Sequence, residues 1–177
     1  YENIKLCAKN YSGCGDVFGI NAFIDFNTYP VLAGVTVDAI KAGTGKDTPV
    51  WLFFDGNGYA KPANLSTNDF IKVLKSQIYT AIIHGATGIL FWNDRTESPD
   101  VFNALEKVVK ELEDNFPIFF MKTIASEANN NLHYMIKGDK KAKYLIASNT
   151  HKTEAVELDI PQISKRTLAP LEVIILP

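Results

Sequence analysis

The sequence predicts an α/β chain: a parallel sheet with helices packed outside it, followed by a small antiparallel β module. Three observations carry this expectation. Residues 16–114 repeat strand, loop and helix three times. The strand segments of that repeat are continuous apolar runs without polar alternation, the pattern of strands buried on both faces of a parallel sheet. From about Leu132 the pattern changes to short strands of alternating character joined by turn residues.

The elements follow in order. Glu2–Asn10 carries Ile4, Leu6, Cys7 and Ala8 in a mixed run and predicts a weak helix, which Tyr11–Gly15 (YSGCG) breaks. Asp16–Asn21 (DVFGIN) predicts a buried strand reaching toward Phe23, and Asn27, Thr28 and Pro30 make the next stretch a loop. Val31–Ala42 places Leu32, Val35, Ala39 and Ile40 at helical spacing, and Gly43-Thr44-Gly45 stops that helix. Pro49–Phe54 (PVWLFF) is the second strand. The third helix is the clearest: Ser66 or Thr67 caps it, with Asp69 as the acid of a capping box. Phe70, Val73, Leu74, Gln77, Ile78, Ala81 and Ile82 form its stripe, His84 sits in its last turn, and Gly85 follows. Thr87–Trp92 (TGILFW) is the third strand. Ser98-Pro99 starts a last helix with Val101, Leu105, Val108, Val109 and Leu112 inward and charges outward. Beyond it, four antiparallel strands are expected: Leu132–Lys137, Ala142–Asn149, Glu154–Ile160 and Leu171–Leu176, the first two flanking a Gly138-Asp139-Lys140-Lys141 hairpin turn.

Composition excludes several classes. The 177 residues are 46% hydrophobic, 11% aromatic and 21% charged, too apolar for a disordered chain. A formal net charge of -2 offers no basic excess, so no nucleic-acid partner is expected. No apolar run approaches the roughly 18 residues of a membrane span. Two cysteines, Cys7 and Cys14, cannot build a disulfide scaffold or a four-ligand zinc site. They either bridge in an oxidising compartment or stay as buried thiols. No HExxH, CxxC, GxGxxG or phosphate loop is present, so neither metal nor cofactor is expected.

Three βα units leave a thin sheet with exposed edges, whereas an eight-stranded barrel takes about 250 residues. With Tyr1 rather than Met at the start, the expectation is the C-terminal part of a larger α/β protein.

The motif order carries a resemblance. Gly19-Ile20-Asn21 with Tyr29-Pro30, then Pro49-Val50-Trp51, then Phe91-Trp92 resembles the last three βα units of a bacterial (β/α)8-barrel glycoside hydrolase. The tail from Lys143 to Pro177 resembles the small β-sandwich that follows many such barrels. The resemblance implies the C-terminal portion of a (β/α)8 TIM barrel over residues 1–120, spanning about the sixth to eighth units. An antiparallel β-sandwich-like module follows over residues 121–177. It further implies part of a glycoside hydrolase acting on O-glycosidic bonds of oligo- or polysaccharides, secreted or periplasmic. Its partners are then a carbohydrate substrate and the N-terminal barrel half of the same protein.

One departure from the family stands out. Retaining members close the seventh strand with a catalytic Glu in a pattern like Trp-Leu-Thr-Glu-Phe-Gly. Against Trp51-Leu52-Phe53-Phe54-Asp55-Gly56 that position falls on Phe54. Asp55 is next along, where side chains alternate between faces, so only a bulge or the strand end turns it inward on this alignment.

Glycoside hydrolysis uses two carboxyl groups flanking the scissile bond, and in a barrel they stand at the C-terminal ends of strands. Asp25, Asp55 and Asp94 each follow one of the three strands. Asp55 and Asp94 are the catalytic candidates, with the partner acid expected upstream of Tyr1. Trp92 offers a flat ring for a sugar to stack on, and Asn93, Asn21 and Asp25 offer groups for its hydroxyls. The plainer readings are that these aspartates close turns and that Trp92 packs the barrel. Trp51 is expected in the core, and Arg95 pairs with Asp94 or Glu97. His84 is expected to be structural, and His133 and His151 show no partner pattern. Two other functions stay open: a carbohydrate-binding barrel without catalysis, and a self-contained α/β accessory domain.

Overall fold

The computed structural model describes residues 1–24, 29–56, 66–92, 99–139, 142–161 and 163–177. The chain begins with helix α1 (Glu2–Tyr11). Three βα units follow: β1 (Phe18–Ile24) and α2 (Val31–Thr44), β2 (Val50–Asp55) and α3 (Thr67–Ile83), β3 (Gly88–Trp92) and α4 (Pro99–Phe119). The strands form one parallel sheet in the order β1-β2-β3, as the apolar runs predict. The helices cover one face of it. Val50, Leu52 and Phe54 of β2 point into a core shared with Val37 and Ile40 of α2, Leu74 and Ile78 of α3 and Val108 of α4. Phe18, Ile20, Ile89 and Phe91 pack against the same core from the neighbouring strands.

Helix ends follow the expected chemistry. Ser66 caps α3: its Oγ accepts from the Asp69 amide at 3.1 Å and donates to the Asp69 carboxylate at 2.7 Å. Gly85, at φ +91, supplies the left-handed residue after the cap. Helix α2 runs through Gly43 and ends at Gly45. Gly43 stays glycine for a packing reason, since a Cβ there would overlap the backbone of Lys5 on α1.

Six antiparallel strands follow instead of four. They are β4 (Thr123–Asn129), β5 (Leu132–Gly138), β6 (Lys143–Asn149), β7 (Val156–Ile160), β8 (Ser164–Leu168) and β9 (Val173–Leu176). One sheet has the order β4-β5-β6-β9, and β7 pairs with β8. Strict alternation divides the larger sheet. Ile136, Leu145, Ala147 and Ile174 face Leu158, Ile160 and Leu168 of the β7-β8 pair. Met135, Ile146, Val173 and Ile175 face the helices, against Tyr79, Ile83, Leu112 and Phe119. Helix α3 is therefore buried from both sides, with the parallel sheet on its apolar stripe and β6 on the other flank. That second flank is partly polar. Ser76 Oγ lies 3.1 Å from Ser148 Oγ and donates to the Asn149 carbonyl at 3.1 Å, and Thr80 reaches Ser148 at 3.3 Å. Tyr79 donates to Glu111 of α4 at 2.9 Å, while Lys75 pairs with the same carboxylate at 2.6 Å. Burial, then the Glu111 charge, pushes the Tyr79 phenol far above its ordinary range.

Cys7 and Cys14 are both free and exposed, neither bridged nor buried. Among the described residues no helix is long and apolar enough to cross a membrane.

Candidate functional site at the open face of the parallel sheet

Side chains alternate along a strand, so fixing one face of the sheet by the helices fixes the other. On β2 the helix face holds Val50, Leu52 and Phe54, which leaves Trp51, Phe53 and Asp55 on the opposite face. On β3 the helix face holds Ile89 and Phe91, which leaves Gly88, Leu90 and Trp92. On β1, Phe18 and Ile20 face the helices, which leaves Gly19 and Asn21. Register then sets three rows across the open face. Gly19, Trp51 and Gly88 are aligned; Phe53 is paired with Leu90; Asp55 is paired with Trp92 at the C-terminal edge.

The first row explains one of its glycines, Gly88. The Trp51 indole lies flat over Gly88, close enough that a Cβ there would meet its ring. Trp51 is 40% exposed and Trp92 is 49% exposed. This corrects the expectation that Trp51 belongs to the core: it stands on the open face, with Phe53 half-buried beside it. These are the two tryptophans of the chain, and both stand on one face.

The faces of Phe54 and Asp55 follow from the same alternation. Phe54 is only 1% exposed and points into the helix core, as its odd-even phase with Val50 and Leu52 requires. Asp55 takes the face away from the helices without any bulge, because the β2–β3 register runs unbroken from Trp51 to Asp55. Its neighbour Gly56 closes the strand end by donating its amide to the Trp92 carbonyl at 2.9 Å. Asp55 is half-buried and Asn21 exposed.

Of the residues singled out by sequence, Asp55 and Trp92 thus share one face at the C-terminal edge of the parallel sheet, and Asn21 stands on the same face mid-strand, one residue past the Ile20–Leu52 pair. Asp25, Asn93 and Asp94 lie outside the described residues, as do Arg95 and Glu97. Among the described residues no cluster of three or more His, Cys, Asp or Glu side chains has the spacing to hold a metal ion.

The histidines form a separate arrangement, missed in the sequence. His84 bonds Asp38 on one side and His133 on the other, each at 2.8 Å. His133 therefore has a partner after all. The two positions are 49 residues apart, on elements whose docking no local pattern reveals. Near this pair is a cleft of about 740 Å³ between the end of α4 and β4–β5, with Phe116, Phe119 and Phe120 as apolar walls. Lys41 and Lys137 also line it, and burial lowers the pKa of each.

No family model matches the sequence, and no curated protein matches it. The fold does have counterparts among solved structures. A debranching enzyme from Nostoc punctiforme, soaked with acarbose, matches at a TM-score of 0.50 and 8% identity, over 98% of this chain and 44% of that one. A cyclic α-maltosyl-(1→6)-maltose hydrolase from Arthrobacter globiformis, in its ligand-free form, matches at a TM-score of 0.43 and 12% identity, over 99% of this chain and 43% of that one. The chain thus spans less than half the length of either. The likeness to the debranching enzyme is one of fold.

Proposed function

We propose that this chain forms part of a glycoside hydrolase acting on O-glycosidic bonds of oligo- or polysaccharides, and that the C-terminal end of the open face of β1–β3 borders its substrate cleft. One observation carries the reading: Asp55 and Trp92 are paired on the open face at the C-terminal edge of a parallel sheet, where barrel enzymes build their sites, and Asn21 stands on that face deeper along β1. In this reading residues 1–120 supply about the sixth to eighth units of a (β/α)8 barrel and residues 121–177 the β module behind it. The remaining strands pair with the free edges of β1 and β3. Parallel sheets are covered on both faces, so the exposed Trp51, Phe53 and Leu90 become the barrel interior once it closes.

Each group has a part in the chemistry. Asp55 stands where an inward strand-end carboxyl can protonate a leaving oxygen or stabilise the oxocarbenium-like transition state. The opposing carboxyl comes from Asp94 or from the fourth strand of the missing half. The Trp92 indole stacks on the C–H face of a sugar ring, and Asn21, with Asp25 and Asn93, bonds its hydroxyls. A secreted or periplasmic location belongs to the same reading.

The test is a hydrolysis screen of the natural full-length protein on aryl glycosides and polysaccharides, beside Asp55→Asn. Turnover that falls at least about 100-fold in the variant is expected for an acid of the reaction. Acarbose, the compound soaked into the similar debranching enzyme, serves as a probe. Its binding should shift tryptophan fluorescence through Trp92. Saturable acarbose binding without turnover on any substrate would favour a carbohydrate-binding barrel. Neither binding nor turnover would refute the proposal.

A further inference from the structure

His84 Nδ1 lies 2.8 Å from Oδ2 of Asp38, and its Nε2 lies 2.8 Å from Nδ1 of His133. His133 Nε2 in turn lies 3.2 Å from the carbonyl oxygen of Asn130. A carboxylate and a carbonyl only accept hydrogen bonds. Three bonds in a row that end on an acceptor at each side need three ring protons. Two neutral imidazoles carry two. The closed chain therefore holds one extra proton and one positive charge, opposite the Asp38 carboxylate.

The direction of each bond follows. His133 Nε2 donates to the Asn130 carbonyl and His84 Nδ1 to the Asp38 carboxylate, and the proton between the rings belongs to whichever ring bears the charge. Burial disfavours charge on His133, which leaves the doubly donating ring to His84. Its position suits a cation: it caps the C-terminal end of α3, where the helix dipole favours positive charge, and its amide bonds the Thr80 carbonyl at 3.1 Å. His133 sits in the opposite setting, 2% exposed on β5. Burial and then the His84 charge lower its pKa to about 4.

The chain ties separate elements together. Asp38 comes from α2, His84 from the end of α3, His133 from β5, and Asn130, at φ 50, from the β4–β5 turn. The His84 ring fills the space above Gly34 of α2, where a Cβ would overlap it. The other charged groups near it are Lys41 on α2, with Asp47 beyond, Lys137 on β5 and Glu113 on α4.

We propose that Asp38, His84 and His133 form a proton chain that clasps β5 to α2 and α3 while it holds one shared positive charge, and that acid opens the clasp by adding a second. A fourth proton leaves two donors facing each other across the His84–His133 bond, which then breaks. In the unfolded chain His133 titrates near 6.5, and in the fold near 4. Between those values the unfolded state binds more protons. Stability that depends on a neutral His133 is thus lost as pH falls through that window toward about 4.

The experiment pairs long-range ¹⁵N–¹H spectra of the histidine rings with denaturant unfolding across that pH window, on the whole chain and on His133→Gln. Midway through the window, His84 should show two protonated nitrogens and His133 a protonated Nε2 only. The wild-type folding constant should fall on the order of 100-fold more than that of His133→Gln across the window. Two neutral rings there, or His133 titrating near 6.5 with parallel stability curves, would overturn the clasp. If His133→Gln does not fold, the wild-type ring spectra decide alone.

Discussion

The two main sheets of this molecule are finished to different degrees. The antiparallel sheet β4-β5-β6-β9 has partners on both sides: Met135 and Ile146 meet the helices, and Leu145 and Ala147 meet the β7-β8 pair. The parallel sheet has helices on one side, while its other side presents Trp51, Phe53, Leu90, Trp92 and Asp55. Parallel sheets ordinarily bury both faces. The difference separates a face packed under helices from a face with exposed aromatic side chains, and adjacent residues of β2 fall on opposite sides of that division. Phe54 belongs to the first and Asp55 to the second.

Substitutions can sharpen this contrast. Phe54→Ala empties a fully enclosed site between β2 and the helices and should cost about 3–5 kcal/mol in denaturant unfolding. Ile146→Ala, at the contact of β6 with α3, should cost about 2–5 kcal/mol, showing that the antiparallel sheet is held as firmly as the parallel core. Trp92→Ala, on the open face, should stay within about 0.5 kcal/mol in stability while weakening acarbose binding. A loss from Trp92→Ala as large as that from Phe54→Ala would erase the distinction between the faces.

Much of the fold was legible in the sequence because its cues are local. The apolar runs at Pro49–Phe54 and Thr87–Trp92 give β2 and β3, Ser66 with Asp69 gives the start of α3, and Gly85 gives its end. The missed strands carry no such cue. All seven residues of β4 (TIASEAN) are exposed, and β8 (SKRTL) buries only Leu168. Edge strands of this kind are defined by the partner they pair with, not by their own pattern. The second flank of α3 was hidden for a similar reason. Ser76, Tyr79 and Thr80 look like a solvated face until β6 docks there and bonds the Ser76 and Thr80 hydroxyls, while Glu111 of α4 accepts from Tyr79. At the candidate site, strand-end position picked out Asp55, and side-chain chemistry within the motifs picked out Trp92 and Asn21. Their common face emerged only from the register, which also moved Phe54 to the helix side and Trp51 out of the core.

The central claim is that Asp55, not Phe54, takes the working position at the end of β2. The direct measurement compares kcat/KM and melting temperature for Asp55→Asn and Phe54→Leu in the full-length protein, on whichever glycoside the wild type cleaves. The account predicts that Asp55→Asn loses about 100-fold or more in kcat/KM with little change in melting temperature. Phe54→Leu should melt lower yet keep its kcat/KM when folded. Full activity in Asp55→Asn would contradict the account.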